Sequence, residues 1–181
     1  VRILSGNNVT LNDTDDISLS DGSGGSTVTG TLSVTTTNGT ITQVAATALA
    51  VTGTTTLSAG GPSTITLGEA GNDFTAAVII PSGSNVTLRD ANAIDLGAST
   101  ISGTLSVTAG GDISDSGALS VTGACTFTAP AASSITLDNA NTFTNLSVSF
   151  LSSGPGNLQN VTVVDSTAFD LQASGLTLDG N

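Results

Sequence analysis

The chain has no Lys, His, Trp, Tyr or Met, a single Cys, four Pro and five Phe. Its only cations are Arg2 and Arg89, set against 14 acidic residues, for a net charge of −12. Nucleic-acid binders neutralise phosphates with Lys and Arg, so this balance argues against DNA or RNA as a partner. The same argument weighs against an anionic membrane surface. No apolar run approaches the roughly 18 residues of a membrane-spanning helix. No basic start followed by an apolar stretch marks a signal peptide, so an export signal is expected outside this chain.

What is present is small and β-prone. Ser and Thr make up about 30% of the residues, far above ordinary usage, and Gly adds 22 more. Disorder requires low hydrophobicity, whereas 38% of this chain is hydrophobic and the mean hydropathy is +0.30. Thr, Val, Ile, Gly and Ser rank low in helix propensity, while Thr, Val and Ile suit a pleated sheet. An all-β fold follows from composition.

The sequence also repeats itself. Val1-Arg2-Ile3-Leu4-Ser5-Gly6-Asn7-Asn8-Val9-Thr10-Leu11 returns as Val78-Ile79-Ile80-Pro81-Ser82-Gly83-Ser84-Asn85-Val86-Thr87-Leu88, 77 residues on, and more faintly from Asn160-Val161-Thr162-Val163. Gly30-Thr31-Leu32-Ser33-Val34-Thr35 recurs from Gly103 at an offset of 73, and Ser63-Thr64-Ile65-Thr66-Leu67 recurs from Ser133 at 70. Small gaps between copies fall naturally in loops. Long repeats are therefore expected over about 1–77, 78–152 and, in part, 153–181 of a single solenoid segment.

Within each long repeat, alternating segments of three to six residues are separated by Gly, Asn, Asp, Ser or Pro, the pattern of brief strands between turns. Inward candidates sort into three columns. The first is Val9, Ile41, Ile65, Val86, Ile113, Ile135 and Val161. The second is Ile17, Leu49, Phe74, Ile94, Leu119, Phe143 and Phe169, and the third Leu32, Leu57, Ile79, Leu105, Phe127, Val148 and Leu176. Each advances by about 20 to 30 residues, a solenoid period. The simplest arrangement has three strands per turn, three turns per long repeat and roughly seven turns, with Phe74, Phe143 and Phe169 stacking. Turns of about 19 residues, four per long repeat, are the alternative if Ile101 and Leu105 belong to different strands. A Greek-key sandwich also has short, turn-bounded strands, but it leaves the long repeat unexplained.

Stacked turns pair each backbone group with the turns above and below at about 4.8 Å, which one turn cannot do alone. Val1 corresponds to Val78 in mid-unit, and Leu176-Thr177-Leu178-Asp179-Gly180-Asn181 carries no capping segment. Both ends are thus expected to be open, as in part of a longer protein or a subunit that stacks end to end.

The run from Asn85-Val86-Thr87-Leu88-Arg89-Asp90-Ala91-Asn92-Ala93-Ile94-Asp95-Leu96 through Gly103-Thr104-Leu105-Ser106-Val107-Thr108 to Ile113 resembles the repeats of large bacterial secreted proteins of the filamentous-haemagglutinin type. Ser134-Ile135-Thr136-Leu137-Asp138-Asn139-Ala140-Asn141-Thr142-Phe143 does so too. The resemblance covers nearly the whole chain and lies in repeat style. It implies a right-handed parallel β-helix, export to the cell surface, often by two-partner secretion, and a role in adhesion, aggregation or biofilm.

Few residues offer chemistry. General acid–base work draws on His, Lys, Tyr, Cys or paired carboxylates, and the acid pairs here, Asp15-Asp16 and Asp112 with Asp115, stand in Gly/Ser-rich turns without a neighbouring cation or aromatic platform. No enzyme activity and no cofactor are expected. Asp13, Asp15, Asp16 and Asp21 crowd one corner and are the candidate ligands for calcium, which takes six to eight oxygens in flexible loops. Asp also favours turns, and Asp13, Asp90 and Asp165 recur at equivalent positions, which fits turn chemistry at least as well.

Thr-x-Thr pairs at Thr27/Thr29, Thr35/Thr37, Thr54/Thr56, Thr64/Thr66, Thr126/Thr128 and Thr142/Thr144 resemble the hydroxyl ranks of ice-binding solenoids, but they fall in different columns. Asn-x-Ser/Thr triplets at Asn8, Asn12, Asn38, Asn85, Asn145 and Asn160 look like glycan acceptors, though most arise because Asn ends a corner just before a Val-Thr strand. Cys125 matches Thr55 in the preceding copy and is expected to be a small buried thiol.

The expectation is a structural and adhesive extracellular segment of a bacterial surface protein or fibre. Its partners would be neighbouring solenoid turns or further copies end to end, together with a receptor that the residues do not specify. A self-assembling matrix or sheath filament is the alternative, and an ice-binding solenoid the third reading.

Overall fold

Short runs of alternating β-branched residues, each closed by Gly, Asn, Asp or Ser, form twenty strands in a computed structural model that describes residues 1–20, 22–144 and 147–167. No helix occurs among the described residues. The first turn holds β1 (Val9–Asp13), β2 (Ile17–Leu19) and β3 (Ser26–Val28); the second β4 (Leu32–Thr36), β5 (Ile41–Gln43) and β6 (Leu49–Val51). The third holds β7 (Thr55–Ala59), β8 (Ile65–Leu67) and β9 (Asp73–Phe74), and the fourth β10 (Val78–Ser82), β11 (Val86–Arg89) and β12 (Ile94–Leu96). Next come β13 (Ser99–Ile101), β14 (Leu105–Thr108) and β15 (Ile113–Asp115), then β16 (Leu119–Val121), β17 (Cys125–Ala129) and the start of β18 (Ile135–Phe143). β18 runs round a corner to open the seventh turn, which β19 (Val148–Ser152) and β20 (Val161–Asp165) complete.

All strand pairings among the described residues are parallel, and the fold is a β-solenoid of about seven turns with three faces. Face 2 is unbroken: β2, β5, β8, β11, β14, β17 and β19 stack in order. Face 1 runs β1, β4, β7, β10 and, through Gly83 against Ile101, on to β13, β16 and the end of β18. Face 3 runs β3, β6, β9, then β12, β15, the start of β18 and β20. At its β9-to-β12 step Ala91 N donates to Asn72 O at 2.7 Å, while Leu96 at the end of β12 pairs with Val78 at the start of β10, where face 3 meets face 1.

Turn length is not constant. Partners lie 23 to 24 residues apart early on (Val9 with Leu32, Ile17 with Ile41) and 19 to 20 in the middle (Val86 with Leu105, Leu105 with Cys125). They lie 22 to 26 apart toward the end (Ile113 with Ile135, Ile135 with Val161). Both periods suggested by the sequence therefore coexist, and the change falls where β10 carries a register shift between Ile79 and Ser82.

One consequence corrects the expected columns. Val9 opens face 1, Val86 opens face 2 and Val161 opens face 3. Likewise Leu32 lies on face 1 and its copy Leu105 on face 2, while Ile65 lies on face 2 and its copy Ile135 on face 3. The long repeat thus advances three turns plus one face, so columns aligned by repeat drift sideways by one face per copy. The inward ladder of face 2 is Ile17, Ile41, Ile65, Val86, Leu105, Cys125 and Val148.

Ile17, Leu32, Ile41, Leu49, Leu57, Ile65, Phe74, Val86, Ile94, Leu105, Ile113, Leu119, Phe127, Ile135, Phe143 and Val148 are all buried. Val9 and Val161, in the outermost described turns, pack on the core but remain partly exposed. Ile79 is corrected to Ile80: the inward residues of β10 are Val78 and Ile80, and Ile79 lies on the outer side beside Gly97. The expected Phe74–Phe143 stack does not form, because Phe74 belongs to face 3 and Phe143 to face 1. Phe127 instead stacks on Phe150 (centroids 5.7 Å apart, planes at 13°) and meets Phe143 edge-on at 6.3 Å. Phe169 and Leu176 lie outside the described residues.

Thr55 interrupts an otherwise aliphatic ladder of Val9, Leu32 and Val78, and its buried hydroxyl has no hydrogen-bond partner. Thr55→Val keeps the shape and removes the stranded hydroxyl, so it is expected to stabilise the protein by about 1 kcal/mol. A higher urea midpoint at unchanged slope is the result to look for; a lower midpoint contradicts the packing described.

Candidate functional site

The polar side chains that the sequence singles out are mostly spent on joining one turn to the next. Asn8 Oδ1 accepts from Thr31 N (2.9 Å) and Thr31 Oγ1 (3.2 Å), and its repeat copy Asn85 accepts from Thr104 N (3.0 Å) and Thr104 Oγ1 (3.1 Å). Asp16 Oδ1 does the same for Thr40 N (2.6 Å) and Oγ1 (3.0 Å), and Asp112 for Ser134 N (2.8 Å). Each acceptor serves an N–H at the corner just before a strand of the next turn. The Asn-x-Thr triplets at Asn8 and Asn85 are therefore corner chemistry. Buried Asn72 and Asn141 are a second repeated device: each donates from Nδ2 to a carbonyl at 3.2 Å (Leu67, Leu137), while Oδ1 accepts from Leu49 N or Leu119 N.

The acidic candidates for calcium divide in the same way. Asp13, Asp90 and Asp165 share a local turn in which Oδ1 accepts from the N–H two residues on, at Asp15 (3.2 Å), Asn92 (2.7 Å) and Thr167 (2.8 Å). Asp90 and Asp165 use their second oxygen on Phe74 N (2.8 Å) and Phe143 N (3.3 Å) of the preceding turn. Asp13, Asp15 and Asp16 are exposed, Asp16 is committed to Thr40, and no three carboxylates converge among the described residues. Asp21 lies outside them.

The two environments shift proton affinity in opposite directions. The backbone N–H of Thr40, and then its hydroxyl, hold the Asp16 carboxyl below its ordinary 3.8. Burial pushes Asp90 above 3.8 despite its two N–H donors. A lowered carboxyl stabilises the fold above its unfolded pKa, a contribution lost as pH falls through the folded value; a raised one is most favourable below its unfolded pKa and loses that advantage as pH rises through the folded value. Carboxyl 13C titration by NMR should therefore order the two groups Asp16 below Asp90, and coincident midpoints contradict this.

Cys125 stands in the face 2 ladder, 1% exposed, its Sγ 3.8 Å from Gly123 O. Burial, and then the negative charge of Asp165, push its thiol up to about 12. Only the thiolate is nucleophilic, so a thiol reagent at pH 8 is expected to leave the native protein unmodified and to label it after denaturation.

The outer side of face 2 holds a feature that the Thr-x-Thr pairs did not disclose. Ser18, Thr42, Thr66, Thr87, Ser106, Thr126 and Ser149 are in register across all seven strands, one hydroxyl per turn at the strand spacing of about 4.8 Å. The pairs themselves do fall on different faces, Thr64/Thr66 on face 2 and Thr142/Thr144 on face 1. The rank is built from single residues, four Thr and three Ser, with no charge among them.

The sequence matches a family model described as repeats of unknown function (DUF5649) twice, over residues 6–80 and 83–149, well over half of the chain. The chain belongs to this repeat family. The two matched copies correspond to the repetition that rotates by one face in the solenoid. No curated protein and no solved structure matches the chain.

Proposed function

We propose that this member of the repeat family is a stiff structural segment of a large extracellular bacterial surface protein, where it serves as a stalk and contributes to adhesion or biofilm. The observation that carries the reading is the unbroken seven-strand ladder of face 2, with Asn, Asp and Thr side chains adding bonds between turns at the corners. A rod of stacked turns extends by about 4.8 Å per turn, so the seven turns span roughly 30 Å. Small side chains at the corners and a scarcity of charge suit it, because like charges would stack at every turn. The resemblance to filamentous-haemagglutinin-type repeats supports the surface location and the adhesive role, and neighbouring turns of the same kind are its natural partners.

The alternative within this reading is a filament of separate subunits stacked head to tail. A denaturing gel of the native protein, with electron microscopy of the same material, tests the two. One giant polypeptide supports the stalk. Filaments that dissolve into chains of 17.5 kDa support the assembly, and small soluble particles contradict both.

The hydroxyl rank of face 2 favours one further reading, an ice-binding surface, since regular hydroxyls on a parallel sheet can order water in a lattice. Thermal hysteresis in the purified protein, abolished by Thr66→Lys with Thr87→Lys, is what that reading requires; its absence removes it.

A further inference from the structure

The uneven turn lengths cut a notch into the solenoid at the corner that follows face 2. Turns 2, 3 and 6 cross this corner with five residues each, 44–48, 68–72 and 130–134, whereas turns 4 and 5 use four, 90–93 and 109–112, and turn 7 uses 153–160. A cleft of about 230 Å³ lies there, reached by Ala70 from the third turn and by Ser153 from the seventh. Between them lie Ala91 and Ala109, with Arg89 and Thr108 at the ends of their strands on face 2.

Arg89 is what makes the cleft unusual. It is one of two cations in a chain of net charge −12, it is exposed, and among the described residues its guanidinium has no carboxylate or carbonyl partner. Asp90, which also lines the cleft, does not neutralise it by contact, because it is buried and both its carboxylate oxygens are taken up by Phe74 N and Asn92 N. A free guanidinium fork matches a carboxylate with two parallel hydrogen bonds. The hydroxyls of Thr108 and Ser153 likewise have no side-chain partner among the described residues, and the two alanines offer small apolar patches.

We propose that this cleft binds a single sugar ring bearing a carboxylate, of the uronic-acid class. The carboxylate pairs with Arg89, ring hydroxyls meet Thr108 and Ser153, and the C–H face of the ring rests on Ala91 and Ala109. The volume falls below the roughly 300 to 1,000 Å³ of pockets for drug-sized ligands, which suits one ring and not an oligosaccharide. The acidic surface repels a long polyanion, so a lone or terminal acidic residue is preferred. The binding can be measured in solution on the isolated chain, so it stands or falls separately from the stalk proposal.

The test is an NMR titration of the 181-residue protein with glucuronate, glucose and acetate, repeated on Arg89→Gln. Glucuronate should shift the amides of Ala91, Thr108, Ala109 and Ser153, with glucose and acetate each at least tenfold weaker. Arg89→Gln should weaken glucuronate binding about tenfold or more, the size of a charge-assisted hydrogen bond, while leaving amide shifts remote from the cleft unchanged. Equal affinity for acetate and glucuronate overturns the sugar, and unchanged binding in Arg89→Gln, or shifts confined to other residues, overturns the site.

Discussion

Gly123→Val is expected to lower stability by about 3 kcal/mol, from overpacking together with a strained inter-turn hydrogen bond. A Cβ at Gly123 would meet the carbonyl of Gly103 in the turn before, its C atom at 2.5 Å and Thr104 N at 2.9 Å, so the two turns could not keep their spacing. The bond at stake is Gly123 N to Gly103 O, 2.8 Å. The same relation holds between Gly53 and Gly30, where the added Cβ would lie 2.6 Å from Gly30 C. Chemical denaturation measures the loss. Gly154→Ala is the control, since nothing lies within 4 Å of its Cβ position, and it should stay within about 0.5 kcal/mol of the parent. Equal effects at the two sites would mean that the corner is not closed by stacked backbone.

Phe127→Ala is expected to cost about 3 to 5 kcal/mol. The side chain is fully buried, and its ring is held between Phe150, stacked at 5.7 Å, and Phe143, edge-on at 6.3 Å. Truncation leaves a cavity that strands fixed by ladder bonds on both sides cannot collapse to fill. A double-mutant cycle with Phe150→Ala should return a coupling of about 0.5 to 1.5 kcal/mol, the usual worth of an aromatic pair. Additive losses would show that the two rings do not touch.

The strand pattern was legible because it is local. Alternating Val, Thr, Ile and Leu between turn residues specifies a short strand, and the requirement that each strand bury one side specifies a stack, so three strands per turn and about seven turns could be read without coordinates. Which face a strand joins is a different matter, since it depends on the sum of all the corner lengths before it. Val9, Val86 and Val161 sit in nearly the same local sequence yet open three different faces. For the same reason Phe74 and Phe143 looked like stacking partners, whereas Phe150, which does stack, follows from the alternation Val148, Phe150. Ile79 and Ile80 are adjacent and equally apolar, and the inward choice is set by pairing through Val78 to Thr55.

Among the polar residues, the repetition of Asp13, Asp90 and Asp165 pointed correctly to a shared turn, because an Asx turn is made within three residues. The hydroxyl rank of face 2 was hidden, since its members lie 19 to 24 residues apart and mix Ser with Thr. The cleft at Arg89 was hidden too, because it is made by what turns 4 and 5 leave out.

The long repeat advances by three turns and one face, and disulfide mapping on a Cys125→Ser background tests this most directly. Thr87 and Ser106 are adjacent outer residues of β11 and β14 on face 2, within the 4.4 to 6.8 Å Cα range that a disulfide needs at the usual strand spacing of about 4.8 Å. Thr87→Cys with Ser106→Cys is therefore predicted to cross-link readily within one chain under mild oxidation of the folded protein. Thr87→Cys with Ser114→Cys, which would be neighbours if Val86 and Ile113 shared a column but which lie on faces 2 and 3, should not cross-link. Failure of the first pair, or ready formation of the second, would contradict the one-face advance.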